Sequence, residues 1–589
     1  MGTISDKLMR IINTKEDIRQ ALISKGYDVP TSIPFKEYAK MISDLPCRVD
    51  SFPDIEGIVA RYSALGLTNE QMAANPVWVD KTGNGHDLQM KNFLWGGMSG
   101  VNGYSDNFSS DFWKKPSDRS DITWTSSSFN ITRVMNTGVQ IYYFSAWEES
   151  ESVIPEKRII VKGLEDGQVL RYMNVGNRII EISQDGIYTI PSFTFKGANF
   201  YHGYSLVKKQ ESCNVTVEQL PLYPGALVFD GVTDYGTCDN FPILTKEKGY
   251  TVVALRQWIS MGEGISGLVS NVKNWFNDGA FVVEYNSNNA TNKFVNRPVS
   301  FGNVNIEMDL PNNFTYQTSK SYKGVPITTG SFKGTNSLFV GKLNNIIGNC
   351  SNVAIWELVF LDHDATEEEL TKIKDYFVKT YPWLFPDQAW TVTGKTNEDE
   401  DRATIANITG NSNDLVLSNF GFVEGSGYNE EGEYAGYLVT DGVDDKVVSA
   451  ESIAFTDTWT IITDTVFLGK VSVASGILAS NIFTVYNYQG SGTIAVTMGE
   501  GGSSLRVITS SIKAFSSDGT IYDAEWNEYH VEIGTIRALE RLLKIGTSSN
   551  ETSYFCQLAF KFLGIYNNQI LSKDDCIKAY NYLQTLKAK

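Results

Sequence analysis

GALVFDGVTDY, at residues 225–235, decides the fold of this chain. Alternating apolar residues lead into Asp-Gly, which is typical of a strand that ends in a tight turn. Gly tolerates the positive φ that such turns require, and Asp caps them through its side chain. The same pattern returns at residues 436–445 as GYLVTDGVDD, so the sequence invites a search for a longer repeat.

The repeat extends well beyond this turn. Four further blocks match in the same order: 66–70 with 394–398, 83–88 with 410–415, Asn92-Phe93 with Asn419-Phe420, and the strand-then-helix stretch 352–377 with 557–583. Both helices carry a capping-box pattern, Thr366-x-x-Glu369 and Ser572-x-x-Asp575. Five matched blocks in one order predict a duplicated domain.

These blocks resemble the laminin-G-like, concanavalin-A-like jelly-roll family, in which a D-x-x-G-N-G-x-D turn and a G-x-L-x-F-D-G-x-x-D-Y strand recur. Residues 80–87 and 225–235 carry both motifs closely. The second copy is looser, with Asn407 at the first Asp and Lys446 at the Tyr. The resemblance covers most of residues 52–98 and 224–589 and implies two jelly-roll sandwiches.

A large insertion interrupts the first copy. Phe93 and Leu227 are 134 positions apart, whereas Phe420 and Leu438 are 18 apart, so roughly 116 residues form an extra domain. Its strand-like runs predict a small antiparallel β-sandwich. Within it, Asp185-Gly186 predicts a hairpin between the strand at 178–182 and the strand at 187–190.

The predicted fold is therefore mainly β: two concanavalin-A-like (laminin-G-like) jelly rolls, one carrying an inserted β-sandwich, preceded by a short α-helical module. The predicted boundaries are 1–46 for the helical module, 52–98 plus 224–385 for the first jelly roll, 99–223 for the insert and 386–589 for the second jelly roll.

Residues 1–46 show helical rather than strand periodicity. Apolar residues follow a narrow 4-3-spaced stripe that Lys15 breaks, and a second amphipathic turn follows near Pro34. Two interpretations remain open: a helical hairpin packed on its own domain, or a docking and oligomerisation module, since so small a unit cannot bury a core alone. The predicted docking residues are Leu8, Ile11, Ile18, Leu22, Phe35 and Tyr38.

Asn13 to Ile42 resembles an N-terminal module of tailed-phage structural proteins, found in head and tail appendages and particularly in crAss-like gut phages. The resemblance implies a protein at the virion surface that contacts other virion proteins through this module. It also implies a homo-oligomer, with a trimer favoured.

The composition excludes several classes of function. A net charge of −18 and a pI near 4.8 argue against nucleic-acid binding. The six Cys form no C-x-x-C pair and the four His are far apart, so no zinc pattern is present. We find no signal peptide and no apolar run long enough for membrane insertion, and we expect synthesis in the host cytoplasm.

Two sets of residues are candidates for ligand binding. Trp95, Tyr104, Trp113 and Trp124 could stack on sugar rings, although core packing is the commoner role of aromatic residues. The repeated aspartates could bind calcium, which prefers clustered carboxylates, or could only cap turns. The calcium candidates are Asp87, Asp230 and Asp234, with Asp414, Asp441 and Asp445 in the second copy. No other cofactor is expected.

No catalytic residue is predicted. Glycoside hydrolases on jelly rolls place paired carboxylates along one strand. Glu307 and Asp309 are the nearest match, but Pro311 and Asn312 stand where a second Glu should be, and the acidic run 398–401 falls in a predicted loop. Together with the resemblance to phage appendage proteins, this favours a head or tail fibre that contacts host-surface polysaccharide without cleaving it. The alternatives are a capsule depolymerase and a purely structural decoration protein.

Overall fold

The computed structural model describes residues 52–588 with short gaps. The gaps are 111–112, 115–120, 134–137, 146–151, 155, 175–176, 196–199, 208–211, 261–265, 274–279, 287–293, 296–312, 327–333, 345–349, 433, 470–474, 481–482, 488–493, 499–503, 508, 510, 535–539 and 548–554. The predicted helical module and its residues Leu8, Ile11, Ile18, Leu22, Phe35 and Tyr38 lie outside the described part. None of the described helices is long and apolar enough to cross a membrane.

Four strands and one short helix precede the insert. They are β1 (Ile58–Ser63), α1 (Asn69–Ala74), β2 (Val77–Trp78), β3 (Leu88–Lys91) and β4 (Gly100–Val101).

The insert consists of strands alone in its described part. They are β5 (Trp113–Lys114), β6 (Asp121–Trp124), β7 (Ser128–Arg133), β8 (Gly138–Ser145), β9 (Ser152–Ile154), β10 (Lys157–Lys162), β11 (Val169–Asn174), β12 (Asn177–Ile182), β13 (Gly186–Ile190), β14 (Phe193–Phe195), β15 (Phe200–Val207) and β16 (Ser212–Gln219).

The chain then returns to the first jelly roll. Its elements there are β17 (Leu227–Asp230), β18 (Tyr235–Cys238), β19 (Thr251–Ser260), β20 (Ser266–Ser270), β21 (Val282–Asn286), β22 (Phe294–Val295), β23 (Phe314–Thr318), β24 (Ser321–Tyr322), β25 (Val325–Pro326), β26 (Leu338–Val340), β27 (Asn352–Leu361) and α2 (Glu367–Thr380).

A single 3₁₀ turn, Pro382–Leu384, leads into the second jelly roll. Its elements are β28 (Gln388–Thr391), β29 (Thr404–Ile405), β30 (Leu415–Ser418), β31 (Gly427–Asn429), β32 (Tyr437–Val439), β33 (Lys446–Ser449), β34 (Ile453–Ala454), β35 (Trp459–Phe467), β36 (Ser475–Ala479), β37 (Phe483–Asn487), β38 (Ile494–Met498), β39 (Ser504–Val507), β40 (Ile512–Ser516), β41 (Thr520–Asp523), β42 (Glu528–His530), β43 (Glu540–Arg541), β44 (Lys544–Ile545), β45 (Leu558–Asn567) and α3 (Lys573–Gln584).

The two jelly rolls have the same strand order. In the first, one sheet runs β25-β24-β23-β19-β27-β17-β4 with β1 also on β27, and the other runs β2-β3-β18-β26-β20-β21-β22. In the second, the matching sheets run β42-β41-β40-β35-β45-β32-β31 with β28 on β45, and β29-β30-β33-β44-β36-β37-β38-β39. All these pairings are antiparallel. The prediction of a mainly β chain with jelly-roll sandwiches is confirmed.

Strands from both sides of the insert build the first jelly roll. Strand β4 pairs with β17, and β3 pairs with β18. Residues 100–101, which the predicted boundary of 99 assigned to the insert, therefore belong to a sheet of the first jelly roll. The insert has its own two five-stranded sheets, β13-β10-β16-β7-β6 and β12-β11-β15-β8-β5. Both of these sheets contribute to one apolar core, in which Ile131 and Val161 face Leu170 and Leu206.

The predicted hairpin at Asp185-Gly186 is wrong. Strand β12 pairs with β11 in one sheet of the insert, whereas β13 pairs with β10 in the other. The Asp185 carboxylate accepts hydrogen bonds of 2.8 Å from the N–H groups of Gly163 and Leu164, just after β10. This contact fixes the turn to the second sheet, so the chain crosses between the sheets instead of folding back.

Strand β27 is the centre of the first jelly roll, and nine of its ten residues are buried. Its inner face packs in the core, while Glu357 on its outer face meets the side chains of Arg61 and Tyr381. Helix α2 covers this face and contributes Tyr376, whose hydroxyl accepts a hydrogen bond of 2.9 Å from Arg61. Since both faces are covered, the strand is nearly continuously apolar.

The predicted N-caps of the two longer helices differ in detail. At α2, Thr366 and Glu369 form the complete capping box. At α3, the Ser572 hydroxyl accepts from the Asp575 N–H at 3.2 Å, and it also donates to the Asp575 carboxylate at 2.8 Å. The Asp575 side chain, which is shorter than that of Glu369, thus accepts from the hydroxyl of its N-cap residue.

A fully buried ion pair lies inside the first jelly roll. Arg256 donates two hydrogen bonds, of 2.7 and 2.8 Å, to the Glu284 carboxylate. Trp258, Thr315 and Tyr322 donate three more. Burial alone would raise the pKa of Glu284, but Arg256 and these donors lower it to about 2. The carboxylate is therefore ionised at any physiological pH.

We expect Glu284→Gln to destabilise the first jelly roll by about 3–5 kcal/mol, because it leaves the Arg256 charge buried without a counter-charge. The measurement is the midpoint of urea unfolding followed by tryptophan fluorescence. Glu368→Gln is the matched control, since it removes the carboxylate of an ion pair with Lys372 that lies on the surface, with the two charged atoms 2.7 Å apart. It should leave the midpoint nearly unchanged. Equal shifts for the two variants would contradict this account.

Candidate functional site

The repeated aspartates of the two Asp-Gly turns bond to the backbone of those turns. In the first jelly roll, Asp230 Oδ1 accepts from the N–H groups of Val232, Thr233 and Asp234, at 2.8 to 3.0 Å. Asp234 in turn accepts from the Asp230 N–H at 3.1 Å. The second jelly roll repeats this pattern with Asp441 and Asp445.

Each turn carries the chain from one sheet of its sandwich to the other. Strands β17 and β18, on either side of the first turn, belong to different sheets. Gly231 has φ +77°, and a Cβ there would lie 2.7 Å from the Asn352 Cβ, so only glycine fits. Asp234 lies just after the turn and is fully buried.

The structure does not bring Asp87 together with Asp230 and Asp234 as ligands of one ion. Asp87 Oδ1 accepts from the Asp80 N–H at 2.8 Å, at a different turn. Asp414 makes the same contact with the N–H of Asn407. These contacts are the ones expected of turn capping, the alternative interpretation of these residues.

A different acidic group is found in the second jelly roll. Oxygen atoms of Asp441, Asp444 and Asp445 lie within 4.8 Å of one another, and no other such group occurs among the described residues. The first jelly roll has Thr233 at the position of Asp444. Three carboxylates are fewer ligands than the six to eight oxygens that calcium takes, so further ligands would be needed.

The predicted sugar-stacking residues do not share one exposed face. Trp113 and Trp124 pack around Phe108 in the core of the insert, with ring centroids 5.0 and 6.3 Å from it. Tyr104 is buried, and Trp95 stacks on Phe93 at 4.7 Å against the core of the first jelly roll. Their described contacts are those of packing residues.

Helix α3 brings the three β-domains together. Its Tyr582 accepts a hydrogen bond of 2.7 Å from Asn313 in the first jelly roll. Asn581 accepts from Arg158 of the insert, and Thr585 accepts from Gln257 of the first jelly roll at 3.0 Å. The helix that completes the second jelly roll therefore also contacts its two neighbours.

A groove of about 610 Å³ lies beside this helix, between the two jelly rolls. Its lining alternates aromatic, amide and charged side chains, an arrangement common at domain interfaces that bind ligands. The lining includes Phe314, Tyr316, Lys323, Lys374, Asp387 and Asn568. Sequence reasoning missed this groove, because its walls come from parts of the chain more than 200 residues apart.

Two aromatic rings form one wall of the groove. Phe314 and Tyr316 are two residues apart on β23, so they point to the same side of the sheet, and their ring centroids are 6.0 Å apart. Both are half-buried. Phe314 is held from behind by Phe377 of α2, 6.1 Å away. The rings are thus fixed in place while part of their surface remains accessible.

Polar groups also line the groove. Asn313 is buried and donates to the Leu384 carbonyl and to the Tyr582 hydroxyl, while its Oδ1 has no hydrogen-bond partner among the described residues. Asn568 is exposed on a backbone with φ +60°. Asp387 Oδ2 accepts from the Asn567 N–H at 2.6 Å. These groups can hydrogen-bond a ligand that lies on the aromatic wall.

Comparison with known proteins identifies structural neighbours of low sequence identity. No protein-family model and no curated protein matches the chain. Among solved structures it is similar to the Trypanosoma rangeli sialidase, with 8% identity and a TM-score of 0.24 over 81% of this chain and 85% of that one. It is also similar to a structure titled for the entry of botulinum neurotoxin type C by interaction with two gangliosides, with 10% identity and a TM-score of 0.19 over 56% of this chain and 86% of that one.

The buried aspartate of the first turn should make stability depend on pH. Burial raises the pKa of Asp234 to about 7, above its ordinary value of 3.8. The native state therefore holds this proton more tightly than the unfolded chain does, and wild-type stability should fall as pH rises from about 4 to about 7. Asp234→Asn cannot ionise, so we expect it to match wild type near pH 4 and to exceed it at pH 8.

The measurement is the urea midpoint across this pH range. Asp445→Asn should behave similarly in the second jelly roll, since burial raises the pKa of Asp445 to about 6. Asp166→Asn, at an exposed turn of the insert, is the control. Parallel profiles for wild type and Asp234→Asn would show that the carboxyl group does not cause the effect.

Proposed function

We propose that this chain is a structural protein of a phage virion, a head or tail fibre or appendage, which binds host-surface glycans without cleaving them. The observation that carries the glycan part is the groove between the jelly rolls, whose lining combines the neighbouring rings of Phe314 and Tyr316 with amide groups. Aromatic faces stack on the apolar faces of sugar rings, and amides satisfy their hydroxyl groups.

The groove suits an extended, neutral or acidic glycan. Lys323 and Lys374 contribute two positive charges to its lining, and Asp387 contributes one negative charge. The amide side chains of Asn568 and Gln569 offer both donors and acceptors, which sugar hydroxyls require. Such contacts are individually weak, and several copies on one particle would multiply them.

The small number of carboxyl groups in the described lining favours binding without cleavage. Glycoside hydrolysis generally requires two carboxyl groups across the scissile bond. Among the described lining residues, Asp387 is the only carboxylate, and the backbone N–H of Asn567 already occupies one of its oxygens. The groove therefore supports a receptor role better than a depolymerase role.

The virion part of the proposal rests on the resemblance of Asn13 to Ile42 to phage appendage modules. In this proposal the N-terminal module attaches the chain to other virion proteins and assembles it into a homo-oligomer, with a trimer favoured. The jelly rolls then face outward from the virion surface.

We expect Tyr316→Ala to weaken binding of the full-length chain to polysaccharide purified from the host surface by about 3- to 10-fold, since one stacking contact contributes about 1 kcal/mol. Tyr316→Phe should bind nearly as well as wild type, because it keeps the ring. Tyr188→Ala, on a half-buried tyrosine of the insert, is the matched control outside the groove.

The same assay separates the alternatives. New reducing ends after incubation with the polysaccharide would overturn the non-catalytic proposal in favour of a depolymerase. Absence of wild-type binding to any host polysaccharide would favour a purely structural decoration protein. Loss of binding in Tyr188→Ala but not in Tyr316→Ala would move the site to the insert.

The attachment proposal has its own test. We expect Leu8→Glu combined with Ile11→Glu to remove the chain from purified particles, because charges on the apolar stripe would prevent docking. Particle content is measured by quantitative mass spectrometry, and the circular dichroism of the purified chain should be unchanged. Lys15→Glu, where the stripe is already polar, is the control. Normal incorporation of the double variant would show that another part of the chain holds it to the particle.

A further inference from the structure

A second, smaller cavity lies where the insert meets the second jelly roll. It has a volume of about 260 Å³, below that of a typical drug-sized pocket and closer to the size of one sugar ring. Its polar lining comes from both domains and from α3: Glu156, Arg158, Thr393, Lys561, Asn581 and Gln584. None of these residues lines the groove between the jelly rolls, so the two sites are separate.

Arg158 is the central group of this cavity. Its side chain is only 9% exposed, and Nη1 donates to the Asn581 carboxamide oxygen. The guanidinium carbon lies 4.5 Å from the ring centroid of Tyr580. Nε is buried and has no hydrogen-bond acceptor among the described residues. A buried guanidinium N–H without an acceptor is costly, so an acceptor from a ligand would stabilise it.

The described lining of the cavity does not neutralise this charge. Burial lowers the pKa of Arg158, and the nearby Tyr580, Glu156 and Asp464 only partly oppose that effect. Asp464 is not part of the lining and is itself paired with Lys513 at 2.7 Å. Glu156 is the one carboxylate in the described lining, and its oxygens are engaged by the Gln584 amide and by Lys561, whose Nζ is 3.8 Å away. With two cations and one carboxylate, the cavity carries a net charge of about +1.

The remaining wall is apolar. Residues 220–223, which connect β16 to the first jelly roll, contribute Leu220, Pro221, Leu222 and Tyr223 to the lining. Asn581 is held in place by a hydrogen bond of 3.1 Å to the Pro221 carbonyl. The cavity thus combines one cationic end, amide and hydroxyl side chains, and an apolar face, which matches a sugar ring that bears a single carboxylate.

We infer that this cavity binds a monoanionic sugar acid of one ring, a uronic acid, with its carboxylate on Arg158 and Lys561. The planar guanidinium suits a carboxylate because its N–H groups are arranged as a fork. The site does not depend on the groove proposed above to bind glycans, and the two are tested with different residues.

The test is isothermal titration of the full-length chain with D-glucuronate. D-Glucose serves as the neutral comparison and acetate as the ringless one. We expect binding of glucuronate alone, weakened by added salt. Arg158→Gln should weaken it at least tenfold and Lys561→Gln several-fold, since charge-assisted hydrogen bonds are lost. Lys162→Gln, at an exposed position of the insert outside both linings, should leave it unchanged.

Thermal unfolding of each variant shows whether it is folded, and Lys561→Gln decides the outcome if Arg158→Gln does not fold. The inference is overturned by a lack of glucuronate binding to wild type, by equal binding of glucose or acetate, or by unchanged glucuronate affinity in Lys561→Gln.

Discussion

The passage of the chain between two sheets at each Asp-Gly turn is the constraint on which both jelly rolls depend. Asp230 binds three consecutive backbone N–H groups, and Asp234 closes the turn from the other side. Without these acceptors, the backbone N–H groups of the turn would lose the hydrogen bonds that hold its conformation. Strand β17 and strand β18 could not then enter opposite sheets from a turn of four residues. The identical arrangement at Asp441 and Asp445 explains why this stretch is the clearest mark of the duplication.

The other repeated residues also serve the backbone. Asn69 donates to the Val101 carbonyl and accepts its N–H, and Asn397 does the same with Tyr428. Asn92 donates to the carbonyl of Thr233, and its counterpart Asn419 to that of Asp444. The motifs shared by the two copies therefore specify the fold. Ligand binding is expected in the parts that differ between the copies or lie between them.

Helix α3 lies beside both cavities that form between the domains. Its residue Tyr582 lines the groove, as does Leu586 just after its end, whereas Asn581 and Gln584 line the Arg158 cavity. Under the helix, Asp464 pairs with Lys513 at 2.7 Å and accepts from Tyr437. Lys513 also donates a hydrogen bond of 2.8 Å to the hydroxyl of Tyr580 on the helix, which links the sheet to it. Both cavities therefore share this helix as part of their boundary.

Much of the fold could be predicted from the sequence, because hydrogen-bonding and turn residues recur at matched spacings. The duplicated strands, the insertion between Phe93 and Leu227 and the capped helices all follow from local patterns. The crossover at Asp185 could not be predicted, since its partners Gly163 and Leu164 are about twenty residues away. The two cavities could not be predicted either, because they form between domains. The aromatic residues near the insertion illustrate the same limit: composition does not tell a packed tryptophan such as Trp113 from an exposed one.

The interruption of the first jelly roll has a consequence for how the protein is made. Strand β1 pairs with β27, so the pairing of Ile58 with Leu361 can form only after Leu361 has left the ribosome. Contacts of such long sequence separation slow folding. The insert has all its strand partners between Trp113 and Gln219, and the second jelly roll has all of its own between Gln388 and Asn567. During synthesis the insert is thus the first of the three to have its complete set of strands, and the sandwich that surrounds it in the sequence closes after it.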